Sequence, residues 1–293
     1  MKIHNLGSIN IDIVYRVPHI PSPGETLACQ DRSEGLGGKG ANMSIAAAQS
    51  GCAVHHYGAV GAEGEWTRDV LANKGVETSS IATVDIPTGH AIIMVADSGE
   101  NAITLFPGAN FALPGDLPER LIENARAGDW LLLQNETSDV QKTAIAAREA
   151  GLSVAYAAAP FDANVTLGML DHVDLLAVNE IEAAQLAEAA GKPAEDLGIA
   201  SLLITKGAEG AVLHSAGKDT IIQPAHKVEV IDTTGAGDTF FGYYLGTLCQ
   251  GATPQQALAR ASAASALQIG KPGAADAIPS GGDVDAFLKA QSV

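Results

Sequence analysis

The sequence has little positive charge: 17 Lys and Arg residues stand against 34 Asp and Glu residues, which gives a formal net charge of −17 at pH 7. A surface this acidic repels phosphate backbones and anionic lipid headgroups, and the sequence contains no basic stripe that would overcome the repulsion. We therefore expect neither a nucleic-acid partner nor a membrane partner.

Long hydrophobic runs and paired cysteines are also missing. No stretch approaches the roughly 18 consecutive apolar residues that span a bilayer, and the N-terminus lacks the apolar core of a secretion signal. The three cysteines, Cys29, Cys52 and Cys249, have none of the close spacings typical of zinc or redox sites. These absences predict a cytoplasmic protein whose cysteines are reduced and mostly structural.

Apolar runs bounded by glycine alternate with alanine-rich segments along most of the chain. The apolar runs predict a first strand within residues 1–7 and further strands at 54–58, 130–133, 154–158, 175–178 and 202–205. The segments between them predict helices at 40–50, 65–74, 138–150 and 180–190, each stopped by a glycine. After these come a predicted hairpin at 211–214 and 220–223 and helices at 236–249, 254–268 and 283–290. Such alternation predicts an α/β fold with a doubly wound, mostly parallel sheet, helices on both faces, and a single domain over residues 1–293.

Two segments interrupt the alternation, at about residues 11–35 and 88–106. The second has alternating apolar residues on both sides of the polar turn Asp97-Ser98-Gly99-Glu100, which predicts a hairpin. Strands inserted away from the main series commonly cover a ligand site. We therefore predict that the two segments form a small β-sheet lid. The two large aromatic residues Trp66 and Trp130 are expected in the core.

The most informative segment is Asp232-Thr233-Thr234-Gly235-Ala236-Gly237-Asp238, directly ahead of a predicted helix. Its glycines allow the backbone to approach a ligand closely, and the N–H groups of a helix N-terminus attract anions. An isolated Asp in a first helical turn normally just complements the helix dipole. Beside a glycine-rich anion site, however, a carboxylate such as Asp238 is suited to take a proton from the group that attacks the anion. The segment therefore indicates phosphoryl transfer.

A second glycine-rich segment is Gly35-Leu36-Gly37-Gly38-Lys39-Gly40-Ala41-Asn42. It is not a Walker A loop, because Gly40 stands where that motif requires Ser or Thr after the lysine. Lys39 and Asn42 lie one helical turn apart, and they offer hydrogen bonds on one face to a polyhydroxylated ligand.

Six short motifs follow one another along the chain. They are Gly7-Ser8-Ile9-Asn10-Ile11-Asp12, Pro23-Gly24-Glu25-Thr26, the segment 37–42, Gly99-Glu100-Asn101 with Pro107-Gly108-Ala109-Asn110, Asn179-Glu180-Ile181-Glu182, and the segment 232–238. In order and spacing these motifs resemble those of the ribokinase (PfkB-type) carbohydrate kinases. The resemblance covers essentially the whole chain, and six motifs in register are far more specific than any one of them.

The resemblance implies a ribokinase-like fold and an ATP-dependent sugar kinase. In such an enzyme Asp238 is the general base, and the N–H groups of Gly235, Ala236 and Gly237 stabilise the transferring phosphoryl group. The implied sugar-binding residues are Asn10, Asp12, Gly38, Lys39, Asn42, Glu136 and Asp238.

The resemblance also implies where the nucleotide and its cations bind. ATP is expected against Thr205, Gly207 and Gly210, and Asn179 and Glu182 are expected to position Mg²⁺, with Glu182 acting through water. Outside this context, the spacing of Asn179 and Glu182 is typical of a helix capping pair. A monovalent cation, K⁺, is implied at Asp232, Thr234 and a later loop at about 268–277.

This sequence departs from the family pattern at two of these places. The hydroxyl residue common near the end of the later loop is Ala277 here, which bears on K⁺ activation. Ser262 stands where many relatives have Asn or His beside the adenine.

The predicted sugar site is rich in amides and carboxylates and has one lysine, which suits hydroxyl groups better than a second phosphate. We expect D-ribose as the substrate, because the first and third motifs are spelled as in ribokinases. A nucleoside kinase remains an alternative, with Tyr15, His90, Ile92, Met94 and Phe106 as candidate lid residues for stacking a base. A fructokinase or 2-keto-3-deoxygluconate kinase is a further alternative.

A sugar-binding regulator without catalysis is the alternative from a different class of protein. It would require a damaged base or anion site, and both are intact in the sequence. Dimerisation through the lid strands is common in the family, and the apolar lid strands predicted here are compatible with a homodimer.

Overall fold

Two β-sheets, nine α-helices and six short 3₁₀ helices are present in the part of the chain that the computed structural model describes, residues 1–291. The strands are β1 (Ile3–Leu6), β2 (Asn10–Val17), β3 (Asp31–Gly37), β4 (Val54–Val60), β5 (Val76–Thr83), β6 (Gly89–Ala96), β7 (Asn101–Phe106), β8 (Trp130–Gln134), β9 (Ser153–Ala157), β10 (Leu175–Asn179), β11 (Ser201–Thr205), β12 (Ala211–Ser215) and β13 (Ile221–Gln223). The helices are α1 (Lys39–Gln49), α2 (Trp66–Asn73), α3 (Leu117–Asn124), α4 (Val140–Glu149), α5 (Ala163–Met169), α6 (Glu180–Ala190), α7 (Ala236–Cys249), α8 (Pro254–Ile269) and α9 (Gly281–Gln291).

The larger sheet is mostly parallel, as predicted. Its strand order is β13-β12-β11-β10-β9-β8-β1-β4-β5, and every neighbouring pair from β11 to β5 is parallel. The hairpin β12–β13 extends the sheet in antiparallel pairing at one edge. The chain passes from β1 to β4 and β5 on one side and later from β8 to β11 on the other. The strand order therefore reverses between β1 and β8, which is where open α/β sheets bind their ligands.

Helices cover both faces of this sheet because the strand side chains alternate between two hydrophobic clusters. Leu132 points into a cluster formed with α1, α2, α7, α8 and α9. Its neighbours Leu131 and Leu133 point into a second cluster formed with α3, α4, α5 and α6. This alternation is what a sheet buried on both sides requires. Across residues 1–291, no helix is long and apolar enough to cross a membrane.

The smaller sheet is the predicted lid, with the strand order β3-β2-β6-β7. The hairpin β6–β7 was expected, and its antiparallel register pairs His90 with Phe106 and Val95 with Asn101. Strand β2 joins the two halves, because it pairs antiparallel with β3 and parallel with β6. The lid begins one residue earlier than predicted, at Asn10, and its first half extends to Gly37.

Three elements were missed by the sequence patterns, and one core assignment was wrong. Strand β5 is a sheet edge with a polar sequence, and α3 and α5 have only eight and seven residues, too short for a clear helical period. Trp66 is not a core residue: it is 37% exposed at the start of α2, whereas Trp130 packs against the core.

Close contact between α1 and α7 brings the two main predicted motifs together. Eight of the eleven residues of α1 are buried, and most of them are small. A Cβ atom on Gly242 of α7 would lie 2.6 Å from the Ala46 Cβ and from the Met43 carbonyl oxygen. The two helix backbones can therefore approach this closely only because position 242 has no side chain.

We predict that Gly242→Ala will push α1 and α7 apart. Overpacking of this kind should cost about 1–3 kcal/mol of unfolding free energy, measured by urea denaturation. Gly168→Ala in α5 is the matched control, because nothing lies within 4 Å of its built Cβ atom. Helix propensity predicts that the control gains up to about 1 kcal/mol. Equal effects of the two substitutions would contradict the close-packing argument.

Candidate active site

The predicted site residues converge at the carboxyl ends of the parallel strands, next to the reversal between β1 and β8. Ser8 follows β1 and Glu136 follows β8. The Glu136 carboxylate accepts hydrogen bonds from the Ser8 hydroxyl and from the Lys39 backbone N–H, the latter at 3.0 Å. The Ser8 hydroxyl also accepts the Gly40 N–H at 3.1 Å. These bonds fix the start of α1 against the two central strands.

Asp238 lies in the first turn of α7 and is buried, with 8% of its surface exposed. Asn42 on α1 donates its Nδ2 to Asp238 Oδ2 at 2.9 Å. Burial raises the pKa of Asp238 to about 6, against the opposing effects of Lys39 and Asn42. At pH 7 such a carboxyl is ionised, yet it is more basic than an ordinary aspartate, as a general base should be.

The Asn42 amide has a second feature that suits a ligand. Its Oδ1 atom is buried and has no hydrogen-bond partner within residues 1–291. Buried acceptors are normally paired, so an unpaired one beside Asp238 is open to a ligand hydroxyl.

Lys39 forms an electrostatic cluster with the carboxylates of Asp12, Glu136 and Asp238. Burial raises the pKa of Asp12 to about 6, and the charges of Glu136 and Asp238 act in the same direction. The pKa of Lys39 is raised, chiefly by attraction to Asp238, so its side chain stays an ammonium ion. Asp12 belongs to the lid strand β2, and it approaches the neighbouring strand so closely that a Cβ atom on Gly37 would lie 2.2 Å from its carboxyl group.

Asn10, at the start of β2, is held in place by Asn110, which lies in one of the six motifs. Its Oδ1 accepts a hydrogen bond from Asn110 Nδ2 at 2.7 Å, and Asn110 Oδ1 accepts the Ile9 N–H at 2.9 Å. Gly38, the last of the predicted sugar-site residues, is the N-cap of α1 and lies between Asn10 and the helix. The structure thus brings all seven predicted sugar-site residues to one region.

At the N-terminus of α7 the N–H groups of Gly235, Gly237 and Asp238 are free within residues 1–291. Gly235 has φ +73°, a left-handed conformation that favours glycine, and it precedes the first turn of the helix. The N–H groups of Gly235 and Gly237 have no hydrogen-bond partner in the described part of the chain. The N–H of Ala236 differs from the expectation, because it donates to the Thr233 carbonyl at 3.2 Å and so closes the turn. Of the three predicted donors, Gly235 and Gly237 therefore remain for the anion site.

A cleft of about 540 Å³ leads away from this helix N-terminus. Thr205, Gly207 and Gly210, the residues predicted to contact ATP, line it, and Ser262 lies on its wall. A smaller cavity of about 210 Å³ contains Asp238, Lys39, Asn179 and Glu182. The two cavities share the wall formed by Thr205, Thr233, Ala236 and Gly237, so they form one path ending at Asp238.

The apolar wall of the larger cleft was not found from the sequence. It is built by His226, Val228, Val230, Ala266 and Ile269, which lie on a loop and on α8. These residues carry no motif, and only their position in the fold identifies them. Ser8 and Asn110, in contrast, lie within two of the six motifs, so the sequence itself could have indicated them.

Asn179 and Glu182 form a helix capping box and also face the smaller cavity. Asn179 Oδ1 accepts the Glu182 N–H at 2.9 Å, and Glu182 Oε2 accepts the Asn179 N–H at 2.8 Å. Burial raises the pKa of Glu182, which means that its negative charge is poorly solvated. A divalent cation in the cavity would relieve this cost, so the oxygen ligands present fit Mg²⁺.

The residues implied to bind a monovalent cation accept N–H hydrogen bonds through their oxygens. Asp232 Oδ1 accepts the Thr234 N–H and Oδ2 accepts the Gly273 N–H, both at 2.9 Å. Although burial acts in the other direction, these bonds lower the pKa of Asp232. The Thr234 carbonyl accepts Gln268 Nε2 at 2.8 Å. An oxygen that accepts one N–H donor keeps a further lone pair. The Oε1 atom of Gln268, beside the Thr234 carbonyl, is buried and has no hydrogen-bond partner within residues 1–291. The oxygens present therefore fit a monovalent cation, which stays a prediction.

Comparisons with known proteins agree with this geometry. A sequence model of the pfkB family carbohydrate kinases matches residues 2–281. The ribokinase of Haemophilus influenzae is 36% identical over 303 residues, with 97% of each chain covered. The ribokinase of Lactococcus lactis is 35% identical over 299 residues, covering 98% of this chain and 97% of its own.

Solved structures agree over the same length. The Arabidopsis thaliana ribokinase complexed with ribose and ATP has a TM-score of 0.87 at 29% identity, with 98% of both chains covered. The Cryptococcus neoformans ribokinase in complex with ADP has a TM-score of 0.84 at 32% identity, with 99% of both chains covered. The chain, with its ribokinase-like α/β fold, therefore belongs to the pfkB family of carbohydrate kinases.

Proposed function

We propose that this protein is an ATP-dependent ribokinase, which transfers the γ-phosphoryl group of ATP to a hydroxyl of D-ribose. The observation that carries the proposal is the position of Asp238, buried at the end of the cleft, bonded to Asn42, and adjacent to the free N–H groups of Gly235 and Gly237. Similarity to ribokinases, one of them complexed with ribose and ATP, supports the substrate pair. With the base and the anion site intact, a non-catalytic sugar-binding regulator is disfavoured.

In the proposed reaction Asp238 accepts the proton of the attacking hydroxyl. The oxygen of that hydroxyl forms a bond to the γ-phosphorus while the bond to the β-phosphate oxygen breaks, and ADP leaves. The N–H groups of Gly235 and Gly237, with the α7 dipole, stabilise the charge on the transferring group. Asp12, Lys39, Asn42 and Glu136 hold the sugar so that its hydroxyl faces the phosphoryl group, since positioning accounts for much of the catalysis in phosphoryl transfer.

Asn179 and Glu182 would hold Mg²⁺, with Glu182 acting through a bound water. When bound, the metal neutralises charge on the ATP phosphates. This matters here because the protein carries a net charge of −17 and must bind a polyanion against its own mean field.

A free sugar suits the predicted sugar-site residues better than a sugar phosphate or a sugar acid does. Lys39 is the only Lys or Arg among the seven predicted sugar-site residues. Its charge is already balanced by Asp12, Glu136 and Asp238. A second anionic group would need further Arg or Lys partners, so ribose is favoured over the keto-sugar acid named among the alternatives.

The lid disfavours a nucleoside substrate. Strand register puts Asp12 on the same lid face as Ala91 and Leu105, because directly paired residues point to the same side. The five residues proposed for stacking a base all lie on the opposite face: Tyr15, His90, Ile92, Met94 and Phe106. The lid face that carries Asp12 has no aromatic side chain with which a nucleobase could stack.

Homodimerisation through the lid stays a prediction, and the lid surface supports it. Ile103 and Leu105 share the lid face of Asp12 and are 59% and 46% exposed. Apolar side chains exposed together on a sheet face are typical of a protein interface. A second copy of the lid is the partner we propose for them.

Asp238→Asn should lower kcat by about 10²- to 10⁴-fold, because the amide cannot accept the proton. Binding of ribose and MgATP should stay near normal, since the substitution preserves shape. Calorimetric titration would measure the binding, and a coupled ADP-release assay would measure kcat.

Asp12→Ala should instead raise the KM for ribose much more than that for ATP.

Asp196→Asn, at an exposed position, is the control for these two variants. It should leave kcat and the KM values for ribose and ATP unchanged. An Asp238→Asn enzyme that keeps most of its turnover would contradict the assignment of the base. Equal effects of Asp12→Ala on both KM values would contradict its placement at the sugar.

The pH dependence of kcat/KM for ribose should fall on the acid side at about pH 6, the pKa of Asp238 and of Asp12. The active form is the deprotonated carboxylate, so activity is lost as the pH drops through this value.

Lys39→Gln should move the acid limb to higher pH, because Lys39 lowers the pKa of both Asp238 and Asp12.

These profiles are measured by initial rates of ADP release across the acid range with buffers of constant ionic strength. A wild-type acid limb near the ordinary aspartate value would contradict the burial argument. An unshifted limb in the Lys39→Gln variant would contradict the electrostatic role of Lys39.

A further inference from the structure

Four fully buried polar side chains form a hydrogen-bonded network next to the start of α1. They are Asn5 on β1, Ser44 on α1, His56 on β4 and Gln134 on β8. None of these four residues lines the cavity that contains Asp238, and the proposed reaction does not use them. Burying polar groups costs free energy unless they are hydrogen-bonded to one another, so the arrangement of this network needs a reason.

His56 joins the network to the end of β1. Its Nε2 lies 3.1 Å from the Gly7 carbonyl oxygen, and its Nδ1 lies 2.8 Å from Ser44 Oγ. A carbonyl oxygen can only accept, so Nε2 carries the proton. Burial lowers the pKa of His56 to about 4, which keeps the ring neutral at pH 7. Nδ1 is therefore unprotonated and accepts the hydroxyl proton of Ser44.

The other bonds of the network are fixed in the same way. Asn5 Nδ2 donates to the Gly40 carbonyl at 2.8 Å and to Ser44 Oγ at 2.7 Å. Because the Gly40 carbonyl only accepts, the Asn5 amide cannot be turned over, and its Oδ1 accepts Gln134 Nε2 at 3.1 Å. The bonds therefore run in one direction from Gln134 through Asn5 and Ser44 to His56.

The two carbonyls that the network holds belong to backbone segments in close contact. A Cβ atom on Gly40 would lie 2.3 Å from the Ser8 nitrogen and 2.5 Å from the Gly7 carbonyl carbon, so the first turn of α1 rests directly on the end of β1. Small residues permit this contact but do not fix its orientation. The network ties both segments to His56 and so sets how the turn sits on the strand.

We propose that His56 is a positioning residue for ribose: through Ser44 and Asn5 it aligns the first turn of α1 with the end of β1. That turn carries Lys39 and Asn42, two of the residues that hold the sugar in the proposed reaction. The inference rests on the proposed function, because their alignment matters in this way only if the protein binds ribose. A small displacement is enough to matter, since catalysis here depends on orientation.

The first test is His56→Phe, which keeps a flat ring but removes both ring nitrogens. The KM for ribose should rise at least about tenfold, because the turn that carries sugar contacts is no longer held. The KM for ATP should change by less than about twofold, because the nucleotide cleft is lined by residues of β11, α7 and α8, away from the network. Both constants come from initial rates of ADP release with the other substrate saturating.

The split between the two KM values separates positioning from a folding defect. A variant that merely folds less well contains less active enzyme, which lowers the apparent kcat and leaves both KM values unchanged. A His56→Phe enzyme with a wild-type KM for ribose would overturn the proposal. Equal increases in the two KM values would overturn it as well.

His55→Phe is the matched control, with the same chemical change at the adjacent position of β4. Neighbouring strand residues point to opposite faces, and His55 Nδ1 lies 3.1 Å from the Tyr57 hydroxyl, on the face away from α1. This variant also loses a hydrogen bond, yet it should leave the KM for ribose unchanged whatever its effect on stability. An increase as large as that in His56→Phe would overturn the proposal.

A double-variant cycle tests whether His56 acts through Ser44. Ser44→Ala removes the next link of the network and should also raise the KM for ribose. The combination of His56→Phe with Ser44→Ala should have no more effect than the stronger single substitution, because both break the same series of bonds. Fully additive effects would overturn the proposed connection.

Nuclear magnetic resonance of the wild-type protein provides a readout that does not depend on activity or on the variants. In protein labelled with ¹⁵N histidine at pH 7, His56 should be neutral, with a protonated Nε2 and an unprotonated Nδ1. Assignment through the backbone amide of His56 requires no substitution. A protonated Nδ1 or a charged ring would overturn the proposal even if no variant folds.

The two proposals fail in different ways. If the wild-type protein releases no ADP with any sugar, the proposed function is wrong, whatever the protonation of His56. If it phosphorylates ribose and His56→Phe has the wild-type KM for ribose, the function stands and the role of His56 is wrong.

Discussion

The close packing of α1 against α7 is the contact on which the candidate site depends. It is possible because α1 is made of small buried residues and because Gly242 has no side chain. It brings Asn42 within 2.9 Å of Asp238 and brings Lys39 near the same carboxylate. A base on one helix and its supporting groups on another are thus held by core packing, which is more rigid than a loop.

Opposing electrostatic effects then set the properties of the base. Burial alone would push the pKa of Asp238 up, and Glu136 adds to this, while Lys39 and the Asn42 amide stabilise the charged form. The result is a carboxylate that is ionised at neutral pH but remains basic. The same balance explains how so acidic a protein can bind ATP. Attraction is local, at the N-terminus of α7 and near Lys39, and it does not depend on the overall charge.

Much of this arrangement could be predicted from the sequence, because the chemistry lies in short contiguous motifs at the ends of strongly patterned elements. Asp238, Lys39 and Asn42 were all found in this way, and α6 and α7 begin and end where the pattern placed them. The apolar wall of the nucleotide cleft could not be predicted, since His226 and Ile269 become neighbours only through the tertiary fold. Which lid face carries Asp12, and that the candidate base-stacking residues lie on the other, depends on strand register. The occupation of the Thr234 carbonyl by Gln268 depends on side-chain contacts that no motif records.

The most direct test of this account is the pKa of the Asp238 carboxyl itself. It can be followed by the pH dependence of the ¹³C shift in protein labelled at aspartate Cγ, with the Asp238→Asn variant used to assign the resonance. The account predicts a midpoint of about 6 in the ligand-free protein. A midpoint near 3.8, the ordinary value for aspartate, would contradict the claim that burial at the α1–α7 contact prepares this residue to act as the base.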